Sequence, residues 1–356
     1  MADPPLARPA TDADREAWQT LVVGLPSGDV LHDWAWGEVA ALDGQPQRRY
    51  VVEEAGSVVA VAAVQVRPTF LGRSFWYVPH GPVLDYDDPR AETWVRLLVD
   101  RLAADARRHR GFVLRLEPRV EAGSRGDAVF DAMRLPRVDE TLQTPQTRMV
   151  DLKNDEELLA AFDKDTRYAI RRAEREGVET RVISDPDDDD AVVRLHAIVT
   201  DTLRRARYRL PSLDRYRLIW RGFAGADRAR IIEAWYAGNL ESAALMVVAD
   251  RRSFYLYAGS VREEKGATKR FPSYAAQWQM MRTARDMGAS VHDLWGVAPE
   301  GAGPDHPWWG FSLFKKGFGG RYVQWIGSRE LVLDPFVYRV RRTAHALRSL
   351  VPNRGS

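Results

Sequence analysis

Apolar positions in this chain fall into two kinds of run. Residues 58–66 and 243–249 are nearly continuous, small and β-branched, as in strands buried on both faces. Elsewhere apolar residues recur every three or four positions. Trp94, Leu97, Leu98 and Leu102 do so within 91–109, and Trp278, Met281 and Ala284 within 273–287. Leu195, Ile198, Val199 and Leu203 form a third such stripe. These spacings predict helices alternating with strands, a mixed α/β (α+β) layer.

The two kinds of run also repeat in order. Residues 55–66 read against 237–248 at an offset of 182, each copy carrying an Ala-Gly hairpin turn before a small-apolar strand. Strands at 48–54 and 230–236 precede the turns, and strands at 75–79 and 253–260 follow, with Tyr77 matching Tyr257. The helices 91–109 and 273–287 come next, then the strands 113–117 and 291–295. Five elements in one order at nearly one spacing indicate duplication. The arrangement resembles the core of GNAT-type acyltransferases, which implies two GNAT-like domains in tandem. The first covers 1–149 on the acceptor side and is completed by a C-terminal helix within 331–356; the second covers 150–330. Single GNAT domains cradle coenzyme A with a glycine-rich turn after the central strand. Here that place holds His80-Gly81-Pro82-Val83-Leu84-Asp85 in one copy and 261–267, with Glu263 and Glu264, in the other. Neither is a good pyrophosphate cradle.

Composition narrows the chemistry. The 356 residues carry a net charge of +2 and no cysteine, which excludes disulfides, thiolate metal sites and a cysteine nucleophile. The seven histidines never fall at metal-ligand spacing, so no metal and no cofactor are expected. The polar N-terminus does not read as a signal peptide, and no apolar stretch reaches membrane-spanning length. The expected location is cytoplasmic, and the charge balance gives no reason to expect DNA as a partner. Six lysines stand against 46 arginines, and none precedes Lys153.

Four segments carry a more specific likeness: 77–85 (Tyr-Val-Pro-His-Gly-Pro-Val-Leu-Asp), 292–297 (His-Asp-Leu-Trp-Gly-Val), 310–320 (Gly-Phe-Ser-Leu-Phe-Lys-Lys-Gly-Phe-Gly-Gly) and the basic helix 166–176. Together they resemble the FemABX family over roughly residues 30 to 340. Those tandem-GNAT aminoacyltransferases use aminoacyl-tRNA to extend the stem peptide of peptidoglycan precursors. The long helical arms of some members have no counterpart here, because nothing between 150 and 230 has the heptads or length.

The resemblance assigns roles residue by residue. Phe314 and Lys315 match the aromatic–lysine pair at the reaction centre, where the cation would face an oxyanion or the tRNA end phosphate. Read without it, the segment is a helix ending at Gly317 with Lys315 and Lys316 complementing its C-terminal dipole. Asp85 would orient or deprotonate the attacking amine, or else is a solvated turn acid. His80 stands where the family often has Tyr. Arg204 and Tyr208 match a pair making pyrophosphate and sugar contacts, with a basic helix end as the alternative. Tyr257 is a pocket hydroxyl or a sheet-face aromatic. Arg167, Arg171 and Arg175 share one helix face, which is solvated or, with Lys316, lies along tRNA phosphates.

The acceptor would be a peptidoglycan precursor, nucleotide- or lipid-linked. The family's phosphate-binding lysine of the early helix has no counterpart in 32–42, so that contact is lost or moved to Arg48 or Arg49. The C-terminal helix, with Arg339, Arg341, Arg342 and Arg348, packs on the first domain or touches an anionic membrane surface. Two other readings remain at this stage. One is a related enzyme acylating an antibiotic-like peptide or small amine from aminoacyl-tRNA or acyl-CoA; the other is a non-catalytic precursor-binding module.

Overall fold

The computed structural model describes residues 4–205, 210–249, 251–262 and 269–350, with side chains described to residue 343. The chain begins with β1 (Leu6–Pro9), α1 (Arg15–Gly24), α2 (Trp34–Leu42), β2 (Gln47–Glu54), β3 (Ser57–Pro68), β4 (Ser74–Pro79) and β5 (Val83–Leu84). It continues through α3 (Ala91–Arg108), β6 (Gly111–Glu117), α4 (Arg125–Ala132) and β7 (Arg137–Val138). The second half runs β8 (Gln146–Asp151), α5 (Asp155–Ala161), α6 (Lys164–Arg175), β9 (Glu179–Ile183), α7 (Asp189–Arg205) and α8 (Leu213–Ala224). Then come β10 (Ala229–Tyr236), β11 (Asn239–Ala249), β12 (Arg252–Ser260), α9 (Pro272–Asp286), β13 (Val291–Gly296), α10 (Trp309–Gly317) and β14 (Arg321–Gln324). β15 (Ser328–Val332) and α11 (Pro335–Leu350) end it.

Two compact units result: 1–34 with 45–143 and 325–356, and 35–44 with 144–324. The first holds a sheet in the order β1-β2-β3-β4-β6-β15-β7, with β5 beside β3; the second holds β14-β8-β13-β12-β11-β10-β9. In each, one central pair is parallel, β4 with β6 and β12 with β13. The duplication extends to fine detail. Both hairpins turn on two left-handed residues, Ala55-Gly56 and Ala237-Gly238, the geometry that matches strand twist. Both first strands carry a bulge at the same place, between Val52 and Glu53 and between Ala234 and Trp235.

One exchange was not legible in the chain order. β8, which follows the first half directly, pairs with β13 in the second sheet, whereas β15, near the C-terminus, pairs with β6 in the first. β15 reads poorly as a strand because Arg329 and Glu330 are charged, yet both are buried. Glu330 accepts from Arg115 Nε at 2.7 Å and from the Tyr338 hydroxyl, and Arg329 meets Asp127 at 3.1 Å. Buried Glu117 accepts from the backbone N–H of Leu142 and Gln143 and from Ser328 Oγ. It thereby ties the exit from the first unit to the point of return. Each charge is tolerated in the interior only because it is matched.

The continuous apolar run of β3 is buried on both faces. Ala60, Ala62 and Val64 join Trp94, Leu98 and Leu102 of α3, while Val61 and Ala63 face Trp18 and Val22 of α1. α9 plays the part of α3 in the second unit, setting Ala276, Met280 and Ala284 on Ile232, Ala244 and Met246. Val337 of α11 packs with Phe75, Tyr77 and Phe112 on the first sheet.

The Gly-Phe-Gly-Gly end of the 310–320 segment serves packing. Phe318 is fully buried, and a Cβ on Gly317 would lie 2.2 Å from Thr166 Oγ1. Gly320 has φ +72°, and its Cβ would meet Met149 O at 2.2 Å. Gly238 has a similar φ, +80°, with nothing nearby. Gly320→Ala is therefore expected to destabilise the second unit by about 3 kcal/mol, and Gly238→Ala by about 1 kcal/mol. Urea unfolding followed by tryptophan fluorescence checks both, and equal losses would contradict the steric argument.

Candidate functional site

The second sheet opens at its parallel pair. β12 pairs with β13 only through Arg252, Ser253 and Phe254, then runs on to Ser260 unpaired on that side. β13 meanwhile breaks register with β8 between Asp293 and Gly296. In the first unit the equivalent strands stay paired from Ser74 to Pro79, and Phe75, Tyr77 and Phe112 pack on that sheet. Only the second sheet parts. Among the described residues, the parting opens a cavity of about 660 Å³ lined by both strands, α7 and α10.

Trp295 turns β13 aside. It adopts a left-handed conformation, φ +61°, costly for a bulky residue. Asp293 holds it there, its Oδ1 accepting from Trp295 N–H at 2.8 Å and from Thr147 Oγ1 at 2.5 Å. The turn directs the Gly296 carbonyl at α10, where Lys315 Nζ donates to it at 2.7 Å. A Cβ at Gly296 would lie 2.4 Å from Thr144 Oγ1, so no larger residue fits.

Lys315 also lies 5.7 Å from the Tyr255 ring centroid. It is the one charged residue among the described lining residues. Burial pushes its amine down to about 8, with Asp293 partly opposing the shift. Beneath it, His292 is fully enclosed, with Nδ1 2.7 Å from Ser253 Oγ and Nε2 2.9 Å from Gln277 Nε2. Burial and the lysine hold that ring near 4 against the pull of Asp293, so it is neutral at physiological pH. The site thus presents one cation, aromatic walls and a neutral floor.

Phe314 lines the cavity, edge-on to Tyr274 and Phe318. Tyr257 lines it too, its ring 4.6 Å from that of Tyr216. Three of the expected site residues, Phe314, Lys315 and Tyr257, therefore share one cavity. Lys316 is exposed on the far side of α10. Arg204 is exposed at the end of α7, outside the lining; its neighbour Arg205 donates to Ser260 O at 2.6 Å. Tyr208 lies outside the described residues. Arg171 and Arg175 are exposed, but Arg167 turns back onto the carbonyls of Leu159 and Phe162 at the end of α5.

His80 and Asp85 belong to the first unit. His80 is buried in a left-handed conformation, φ +49°, with Nδ1 3.0 Å from Asp29 Oδ2. The same oxygen accepts from Arg119 at 2.5 Å. Burial alone would raise the Asp29 carboxyl, but His80 and Arg119 outweigh it and hold it well below the usual range. Asp85 is exposed, and its Oδ1 accepts from Asp87 N–H at 2.9 Å, closing the turn after β5. Among the described residues, no cluster of His, Asp or Glu could hold a metal ion.

Comparison with known proteins fits this geometry. The FemAB family model matches residues 128–234 and 238–346. The chain belongs to the FemAB family. It is 26% identical over 344 residues to the UDP-N-acetylmuramoylpentapeptide-lysine N(6)-alanyltransferase of Weissella viridescens, covering 91% of this chain and 95% of that one. It is 24% identical over 400 residues to the lipid II:glycine glycyltransferase of Staphylococcus aureus strain USA300, covering 90% and 92%. A FemX crystal structure superimposes with a TM-score of 0.82 at 19% identity, covering 94% of this chain and 99% of that one. A tandem GNAT protein from the clavulanic acid biosynthesis pathway gives 0.57 at 16% identity, with 93% and 99% covered. The fold is thus the tandem GNAT fold of FemX.

Sequence reasoning singled out Lys315 but missed Asp293, Trp295 and Gly296 as its supports. The signal was a strand ending in Asp-x-Trp-Gly, a carboxylate two residues before a turn beside an obligatory glycine. With only six lysines in the chain, carbon-detected NMR of labelled lysine side chains resolves Lys315 directly. Its amine is expected to titrate near 8, and Asp293→Asn lowers that midpoint by removing the opposing negative charge. A midpoint above 10 in the wild type contradicts the burial argument.

Proposed function

We propose that this protein transfers an amino acid from an aminoacyl-tRNA to a peptide amine of a peptidoglycan precursor. The observation that carries the reading is the half-buried lysine, the one cation among the described residues lining an aromatic cavity. The family relatives, named as alanyl- and glycyltransferases, supply the reaction class. The donor ester is already activated, so the reaction needs positioning, a free amine and stabilisation of one developing negative charge. The amine nitrogen attacks the ester carbonyl, a C–N bond forms, and the C–O bond to the tRNA ribose breaks. The proton lost by the amine ends on the departing ribose oxygen.

Lys315 faces the oxyanion of the tetrahedral intermediate. Among the described residues its ammonium donates to Gly296 O, which leaves two of its protons for the substrate. Phe314 and Tyr257 grip the donor's end. Arg204, Tyr208, Arg171, Arg175 and Lys316 serve the phosphates of donor and acceptor, with Arg167 bracing its helix. On the first unit, Asp85 is exposed and available to an acceptor amine, whereas His80 is enclosed against Asp29 and supports that turn.

Two relatives name their acceptors as a nucleotide-linked pentapeptide lysine and as lipid II. We take the lipid-linked form as the one to test for this protein. It would work in the cytoplasm at the inner membrane face. No helix among the described residues is long and apolar enough to cross a membrane.

Incubation with labelled aminoacyl-tRNAs and precursor is expected to give transfer that ribonuclease abolishes. Lys315→Met is expected to cut the rate by about 10²–10³-fold, the scale of losing one oxyanion donor. Its thermal midpoint should stay within a few degrees. No labelled product with any aminoacyl-tRNA, or wild-type turnover in the variant, would overturn the reading. Transfer from acyl-CoA instead would move the protein to the acyl-CoA branch of the fold. The rate should fall above about pH 8 as Lys315 loses its proton.

A further inference from the structure

At the end of the first sheet where β4 and β6 begin, apolar side chains stand in solvent. The loop between β3 and β4 closes on itself, Thr69 N–H donating to Arg73 O at 2.8 Å, and displays Phe70 (40% exposed) and Leu71 (79%) at its tip. Leu71 is held left-handed, φ +55°, an unusual state for a leucine that gains no burial in return. Arg73 pairs with Asp334 at 2.7 Å, joining this loop to the start of α11. There Phe336 (71% exposed) and Val340 (43%) lie one turn apart on one exposed strip of α11, beside the side that buries Val337.

Beyond Asp334, which Arg73 pairs, and Asp105, which Arg108 pairs, the charges around these tips are basic. Arg110 reaches Leu71 O at 3.3 Å from the turn between α3 and β6, and Arg107 is exposed beside it. Arg339 and Arg342 are exposed on α11. Among the described residues, no carboxylate pairs with Arg107, Arg110, Arg339 or Arg342. Residues 67–73, 107–110 and 335–343 contain no acid at all. The patch lies about 20 Å along β4 from His80, so it is separate from the His80 group.

We propose that this surface docks the protein on an anionic phospholipid bilayer, with Phe70, Leu71, Phe336 and Val340 entering the interface and the arginines meeting lipid phosphates. RNA would satisfy the arginines but gives the exposed apolar tips nothing to bury against, which is why a bilayer is the better match. The inference rests on the reading that the acceptor is lipid-linked, since docking would bring such an acceptor within reach.

The test floats the full-length protein with phosphatidylcholine vesicles and with vesicles containing added phosphatidylglycerol, at low and high salt. Binding is expected only to the anionic vesicles and is released by salt. Arg110→Gln with Arg339→Gln and Arg342→Gln should weaken it by about a hundredfold at low salt. Leu71→Ser with Phe336→Ser should weaken it without changing the salt dependence. Both variants should melt like wild type and label a soluble acceptor peptide at the wild-type rate, yet label vesicle-borne lipid-linked acceptor more slowly. The proposal is overturned by no binding, by equal binding to neutral vesicles, by either variant binding as wild type does, or by displacement of the vesicles with tRNA. Anionic-vesicle binding without labelling of any acceptor leaves the surface standing and removes the transferase reading instead.

Discussion

The second unit is organised around the parting of β12 from β13. A parallel pair in mid-sheet ordinarily satisfies its own backbone, and separating it exposes polar groups that need other partners. Here the separation is held open by a short relay. The carboxylate of Asp293 fixes the N–H of a left-handed tryptophan, the tryptophan sets the direction of the next carbonyl, and that carbonyl receives Lys315. Each member is costly alone: a strained backbone, a buried acid, a buried amine. Together they satisfy one another, which is how an interior cation can persist beside an open cavity.

The first unit shows the same scaffold without the opening. Its parallel pair is zipped to the end, and aromatic side chains on the sheet pack against α11. It spends its buried charge on cohesion, through Glu117, Arg115, Glu330 and Arg329, so that a C-terminal strand can pair with β6, some two hundred residues earlier in the chain. Duplicated bulges and left-handed hairpin turns mark the common origin, while one broken strand pairing separates the two outcomes. The cationic end of this unit, with its exposed aromatic and aliphatic tips, uses the surface where the second unit uses a cavity.

The segment 310–320 illustrates how a motif divides its labour. Gly317, Phe318, Gly319 and Gly320 are needed where α10 ends against α5 and β8, and they would be needed whatever the chemistry. Phe311, Phe314 and Lys315 face the cavity. Resemblance in the glycines therefore speaks for the fold, and resemblance in the aromatic–lysine pair speaks for the site. Arg167 makes the same point in reverse: periodicity placed it on a basic face, but two carbonyls at a neighbouring helix end claim its guanidinium.

Local pattern determined the strands, helices, hairpin turns and duplication, because apolar period and glycine placement act over a few residues. It determined that α9 and α3 are equivalent, and the likeness around Phe314 and Lys315 pointed to the centre of the site. Only the tertiary structure decided that β8 and β15 exchange sheets, since a strand with two buried charges is indistinguishable from a loop until its partners are in place. It also decided which parallel pair opens. That depends on whether Asp293, Thr147 and Gly296 meet, and those contacts join residues nearly 150 positions apart, beyond the reach of any local pattern.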